Sequence, residues 1–117
     1  PKNTDDEKSV RSAAIESASV YATEIPLKTM KVAFSSIEIL KYMVEHGNPN
    51  SITDAGVGLL CIKTAVRGAY FNVMVNAKGL KDKEAAKKYA SEAKAVLEDN
   101  HKQIDQILLK VEEAINF

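Results

Sequence analysis

The chain has 117 residues, 45% hydrophobic and 27% charged, close to the average of a globular domain, so disordered, collagen-like and fibrous classes fall away. Sixteen Lys and Arg balance sixteen Asp and Glu, which leaves no cationic field to draw the protein onto nucleic acid or an acidic membrane. A single cysteine, Cys61, excludes an internal disulfide and a structural zinc site, and the length is that of one helical domain, residues 1–117, with room for its own core.

No apolar run approaches the roughly 20 residues needed to span a bilayer, and the polar start from Pro1 to Lys8 is unlike a signal peptide, so a cytoplasmic protein is expected. A chain beginning at Pro1 reads either as one that has lost its initiator Met or as a fragment. Thr4 and Glu7 have capping-box spacing, which starts a helix near Asp5. Val10, Ala14, Ala18, Tyr21 and Ile25 then recur at helical spacing up to Pro26, which either begins a second helix or kinks one long one. The stripe resumes at Met30, Ala33, Phe34, Ile37, Leu40 and Val44 and stops at the run Gly47-Asn48-Pro49-Asn50, with Gly47 as the C-terminal cap.

Ser51 and Asp54 repeat the capping-box spacing, and no proline interrupts the chain from there to Ala77. Projected at about 100° per residue, Asp54, Gly58, Cys61, Ala65, Gly68, Asn72 and Asn76 share one narrow face of small and polar side chains. Val57, Leu60, Phe71 and Val75 cover one flank and Leu59, Ile62, Val66 and Val73 the other, the pattern of a helix in the middle of a bundle or at an oligomer interface. Lys63 and Arg67 occupy the remaining side, facing solvent or a ligand. Asp82 caps a last long amphipathic helix whose stripe runs from Ala85 to Ile115. The expected fold is all-α, an antiparallel up-and-down bundle with helices at roughly 5–25, 26–46, 52–77 and 82–115.

Little catalytic chemistry is legible from spacing. His46 and His101 have no Cys or His at metal-ligand spacing, so no metal site is expected. His46 suits the C-terminal dipole of its helix, and His101, between Asn100 and Lys102, reads as solvated. Gly56-Val57-Gly58 reads as close helix packing and Cys61 as a buried, inert thiol. Asp54, Asn72 and Asn76 stand out because buried carboxylates and amides are costly unless paired. Two readings stay open: a satisfied network, in which Asp54 caps its helix and the two Asn bond to a neighbouring helix, or a ligand site.

The run from Gly47 to Val57, followed by Arg67-Gly68-Ala69-Tyr70-Phe71-Asn72-Val73 and Asn76, resembles the signature of the formiminotransferase-cyclodeaminase and methenyltetrahydrofolate cyclohydrolase family. Pro1-Lys2-Asn3-Thr4 and Pro26-Leu27 also stand where that family places them. The resemblance covers essentially the whole chain and corresponds to the C-terminal portion of the family's domain, without its Gly-rich, Ser-containing segment. It implies a helical fold, a homodimer or higher oligomer, a folate pocket near the subunit interface, and no cofactor beyond the tetrahydrofolate substrate. The implied reaction is cyclohydrolase hydration of a methenyl bridge or cyclodeaminase release of ammonia from a formimino group, the first being favoured because no formiminotransferase domain is fused here. It also implies Asp54 as the catalytic carboxylate, Asn72 and Asn76 in the pocket, and Asn48 at its rim. Arg67, which the family pattern does not require, is a candidate partner for folate's anionic tail. The alternative is a non-catalytic helical oligomerisation or scaffold module.

Overall fold

Thr4 caps the first helix as its spacing predicts: its Oγ1 accepts from the Glu7 amide at 3.1 Å, and Glu7 Oε2 accepts from the Asn3 and Thr4 amides at 2.7 and 3.2 Å. In the computed structural model, which describes residues 1–117, this helix, α1, runs from Asp5 to Ser35. It is followed by α2, Ile37–His46, a 3-10 turn, Pro49–Ser51, α3, Ile52–Lys78, and α4, Lys83–Ile115.

The first helix does not end at Pro26. Proline has no N–H for the carbonyl four residues back, so the Ala22 oxygen is left without its helical partner. Asn76 of α3 supplies one, its Nδ2 donating to Ala22 O at 2.8 Å. The helix therefore passes through Pro26 and breaks ten residues later, at Ser36. There the hydroxyls of Ser35 and Ser36 both turn back onto the Val32 carbonyl, at 2.6 and 3.4 Å, a competition that bends helices at serine pairs. The boundary expected between residues 25 and 26 is corrected to Ser36.

α1 and α2 run on in one direction as a single bent arm. Successive cross-links to α4 show it: Tyr89 Oη donates to Glu24 at 2.6 Å, Lys31 pairs with Glu92, and Lys110 pairs with Glu45 at 3.0 Å, advancing along both partners. α3 runs antiparallel to this arm and to α4, so the bundle has three long layers, up, down and up. Glu16 of α1 ties down the α3–α4 turn by accepting from the Lys81 amide at 2.9 and 3.1 Å and the Asp82 amide at 3.2 Å, while Asp82 caps Ala85 at 3.0 Å.

Leu27 and Met30 of the arm, Val66, Ala69 and Val73 of α3, and Ala93 and Leu97 of α4 form one core cluster; Ile37, Leu59, Ile104 and Ile107 form a second. On α4 the buried positions Ala93, Leu97, Asn100, Ile104, Ile107 and Val111 alternate by four and three, the seam of a helix bundle. Gly56 and Gly58 serve close packing as expected: a Cβ on Gly56 would meet Val111 Cγ1 at 2.9 Å, and one on Gly58 would meet Leu40 Cδ1 at 3.1 Å. The bundle is slender, 71 × 21 × 19 Å, with a radius of gyration of 19.6 Å against about 13 Å for a compact chain of this length. No helix is long and apolar enough to cross a membrane.

The Pro26–Asn76 pairing is testable by a double-mutant cycle in urea. Asn76→Ala removes the hydrogen bond to the Ala22 carbonyl and is expected to cost about 0.5–1.5 kcal/mol, since Ala22 is exposed and water can replace the lost donor. In a Pro26→Ala background the restored amide serves Ala22, and the same change should cost markedly less. Equal costs in both backgrounds would exclude the pairing.

Candidate functional site

Four of the five residues singled out from the sequence, Asp54, Asn72, Asn76 and Arg67, lie on α3, but the helix separates them. Asp54 stands in its first turn, and the eighteen residues from Asp54 to Asn72 span about 27 Å along the axis. A shared face is therefore not a shared site within one chain. Asn48 sits beyond the helix start, where its Oδ1 accepts from the Asn50 amide at 3.0 Å and organises the 3-10 turn. Arg67 lies on the side of α3 that faces α4 and makes no ion pair.

Asn72 and Asn76 are brought together. They line a groove of ≈ 640 Å³ between α1 and α3, with Tyr21, Ile25, Pro26 and Thr29 forming the opposite wall and Ala65 and Ala69 the floor. Asn76 is half-buried and committed to the Ala22 carbonyl, whereas Asn72 is exposed and makes no hydrogen bond, so its carboxamide is free to meet a ligand. Of the two readings of this pair, the network accounts for Asn76, and Asn72 stays available.

Three expectations are corrected. Ser51 makes no capping bond to α3; the chain enters through the Pro49–Ser51 turn instead, and Asp54 is an exposed first-turn carboxylate near the positive end of the helix dipole. The small-residue face is packed at Gly58 and Asn76 but open between them: Cys61, Ala65 and Gly68 are exposed, and a Cβ on Gly68 would meet nothing within 4 Å. The cause is that α1 and α4 cover only the flank carrying Leu59, Val66 and Val73, all fully buried, and leave Val57, Leu60, Phe71 and Val75 about half exposed or more. Cys61 is thus an exposed thiol.

The third concerns His101, which is half-buried rather than solvated, with its Nε2 shielded and without a partner. It lines a second concavity, of ≈ 350 Å³, with Lys63, Thr64, Arg67, Gly68 and Phe71. Burial first, then the nearby charges of Lys63 and Arg67, hold its pKa below the ordinary 6.5, against the opposing pull of Asp105 and the Lys63 backbone. Lys63 is itself paired with Asp105 at 2.6 Å. Sequence spacing could not find this group, because His101 reaches Lys63 and Arg67 only through the antiparallel packing of α3 and α4.

The model of the family described as formiminotransferase-cyclodeaminase matches residues 1–95, the larger part of the chain. The chain belongs to that family. It is 38% identical over 116 residues to the methenyltetrahydrofolate cyclohydrolase of Methylorubrum extorquens, a match covering 99% of this chain and 56% of that protein. It is 29% identical over 112 residues to the formimidoyltransferase-cyclodeaminase of Rattus norvegicus, covering 96% of this chain and 21% of that protein. The chain thus spans about half the length of the first relative and about a fifth of the second. Asn48, Asp54, Arg67, Asn72 and Asn76 all fall inside the family match, and His101 lies outside it.

The depressed pKa of His101 predicts a pH-dependent fold. Below 6.5 the unfolded chain takes up a proton that the folded one resists, so stability should fall as pH drops through that window. Glu45, held below its ordinary 4.5 by its hydrogen bond to Lys110, weakens the fold only below that value, so the two effects separate. Thermal melts between pH 7 and pH 5 should show the decline, and His101→Gln should flatten it.

Proposed function

We propose that the chain is part of a folate one-carbon enzyme that acts as a methenyltetrahydrofolate cyclohydrolase, with cyclodeaminase chemistry as the close variant. The observation that supports it best is the α1–α3 groove: a free carboxamide, Asn72, on an apolar wall inside the family-matched residues of a chain that aligns almost completely with a cyclohydrolase. A carboxamide offers donor and acceptor together, which suits the edge of a pterin, and the apolar wall of Tyr21, Ile25 and Pro26 suits its face. Asn76, by satisfying Ala22, holds that wall in place.

Hydration of a methenyl bridge needs a water activated as it attacks and a proton returned as the ring opens, and loss of ammonia needs a proton on the departing nitrogen. Asp54 is the carboxylate proposed for that transfer, with Asn48 beside it at the rim. One chain holds Asp54 about 27 Å from Asn72, so the proposal includes a homodimer in the cytoplasm in which two copies of α3 pack antiparallel. Such pairing about the level of Thr64 brings Asp54 of one copy toward the Asn72 end of the other. The uncharged exposed stripe of Val57, Leu60, Cys61, Thr64, Gly68, Phe71 and Val75 supplies the contact. A non-catalytic assembly module is the alternative, favoured by the slender shape and the half-exposed apolar flank.

Methenyltetrahydrofolate turnover by the full-length protein separates the two readings, and Asp54→Asn tests the role of the carboxylate. As the proton-transfer group, its loss should cut methenyltetrahydrofolate turnover by about a hundredfold or more while the melting temperature stays put; unchanged turnover would remove Asp54 from the site. Assembly is tested by Gly68→Leu. Its side chain meets nothing within the chain, and leaving glycine should raise helix stability by up to about 1 kcal/mol. A folded variant with half the sedimenting mass of the parent supports the α3 interface, and an unchanged mass counts against it.

A further inference from the structure

The core changes character halfway along the bundle. The first apolar cluster reaches Ala33 on the arm, Val66 on α3 and Leu97 on α4, the second begins at Phe34, Leu59 and Ile104, and the half-buried Ile62 packs against both. Between them the seam position of α4 is Asn100. It is fully buried, and neither its Nδ2 nor its Oδ1 is hydrogen-bonded. A carboxamide in that state has lost its hydration without compensation, so any opening that lets it reach water is favoured by that much. A leucine there would act in the opposite sense, because opening would expose apolar surface.

The backbone is interrupted at the same level. Lys31 pairs with Glu92 and Glu45 with Lys110, so the stretch of the arm between these links, which contains the break at Ser36, lies alongside the stretch of α4 that contains Asn100. Beyond the break α2 is lightly held. Ile37 is the one buried residue of its ten, Leu40 and Val44 are half-buried, and Ile39 and Tyr42 face solvent. A helix of that length has little stability apart from its packing. The part of the arm before the break is anchored by Glu16 at the α3–α4 turn, by Asn76 at Ala22 and by Tyr89 at Glu24.

We propose that α2 is a strap that opens about Ser36 without unwinding α1, and that Asn100 sets how often it opens. Lifting α2 uncovers Asn100 and hydrates its carboxamide, which offsets part of the cost of exposing Ile37 and Leu40. The same movement takes Leu40 off Gly58, whose missing Cβ lets it sit close, and loosens the turn carrying Asn48 that follows α2. What opening uncovers is the first part of α3, next to Asp54. The inference stands on packing and does not depend on the folate reading; if that reading holds, the strap governs access to the Asp54 end of the site.

Native-state hydrogen exchange of the 117-residue chain, read amide by amide by NMR, tests both parts. The amides of residues 41–46 should exchange through an opening about tenfold or more as frequent as the one that releases residues 66–73 of α3. V73A, which weakens the first cluster, should speed the α3 amides about tenfold and leave those of α2 unchanged, because α2 opens without disturbing that cluster. N100L should slow the α2 amides about tenfold or more, and N100D, of the same shape but charged, should speed them by a similar factor. The opposite signs guard against a variant that merely packs badly. Equal protection in α2 and α3, or α2 amides that follow V73A as closely as α3 does, would make the bundle one cooperative unit and overturn the strap. Exchange of α2 that responds to neither change at Asn100 would overturn the role given to that residue.

Discussion

The architecture depends on one backbone carbonyl. A proline in the middle of a long helix removes the hydrogen bond that Ala22 would accept, and a carbonyl without its helical partner weakens the helix at that turn. Asn76 reaches across from α3 and takes the place of the missing amide. With that donor in place, α1 continues past Pro26, the arm extends to Ser36 before it breaks, and Leu27 and Met30 pack against Val66, Ala69 and Val73. The pairing joins two features that look unrelated in the chain, a proline and an asparagine 50 positions away, and makes each the reason the other is tolerated.

The central helix is covered asymmetrically. With only the arm and α4 to pack against, α3 buries one flank and presents the other, and the result is a slender bundle whose apolar residues are divided between core and surface. That division puts Asn72 in an open groove and leaves the small residues from Cys61 to Gly68 facing outward. A mid-helix glycine with empty space above it has no purpose inside the chain, since alanine would be the better helix former. In the proposed dimer, it is the position at which the second copy would approach most closely. The same geometry sets the two concavities on either side of the exposed ridge, one amide-lined against α1 and one cationic against α4.

The candidate site was legible only in part. Asn72 and Asn76, four residues apart, share a helical face on any projection, and their convergence followed from the 3.6-residue repeat alone. Asp54 belonged to that face as well, but a projection discards distance along the axis, and the separation of about 27 Å appears only when the helix is given its length. His101 could not be read at all: nothing in Asn100-His101-Lys102 signals burial, and its environment is made by residues 34 and 38 positions earlier on an antiparallel neighbour.

The sequence by itself determined the helical class, the capped starts at Thr4 and Asp82, the stop around Gly47, the close packing at Gly56 and Gly58, and membership of a family whose signature runs from Gly47 into α3. These rest on local rules, hydrogen-bond satisfaction at helix ends and the periodicity of apolar residues, which act over a few positions. Only the tertiary structure decided that Pro26 does not end a helix, that Ser36 does, which flank of α3 is buried, and which polar groups meet. Each of those outcomes turns on a partner supplied by a distant segment, and a rule that sees only neighbours in sequence has no means of knowing whether the partner is there.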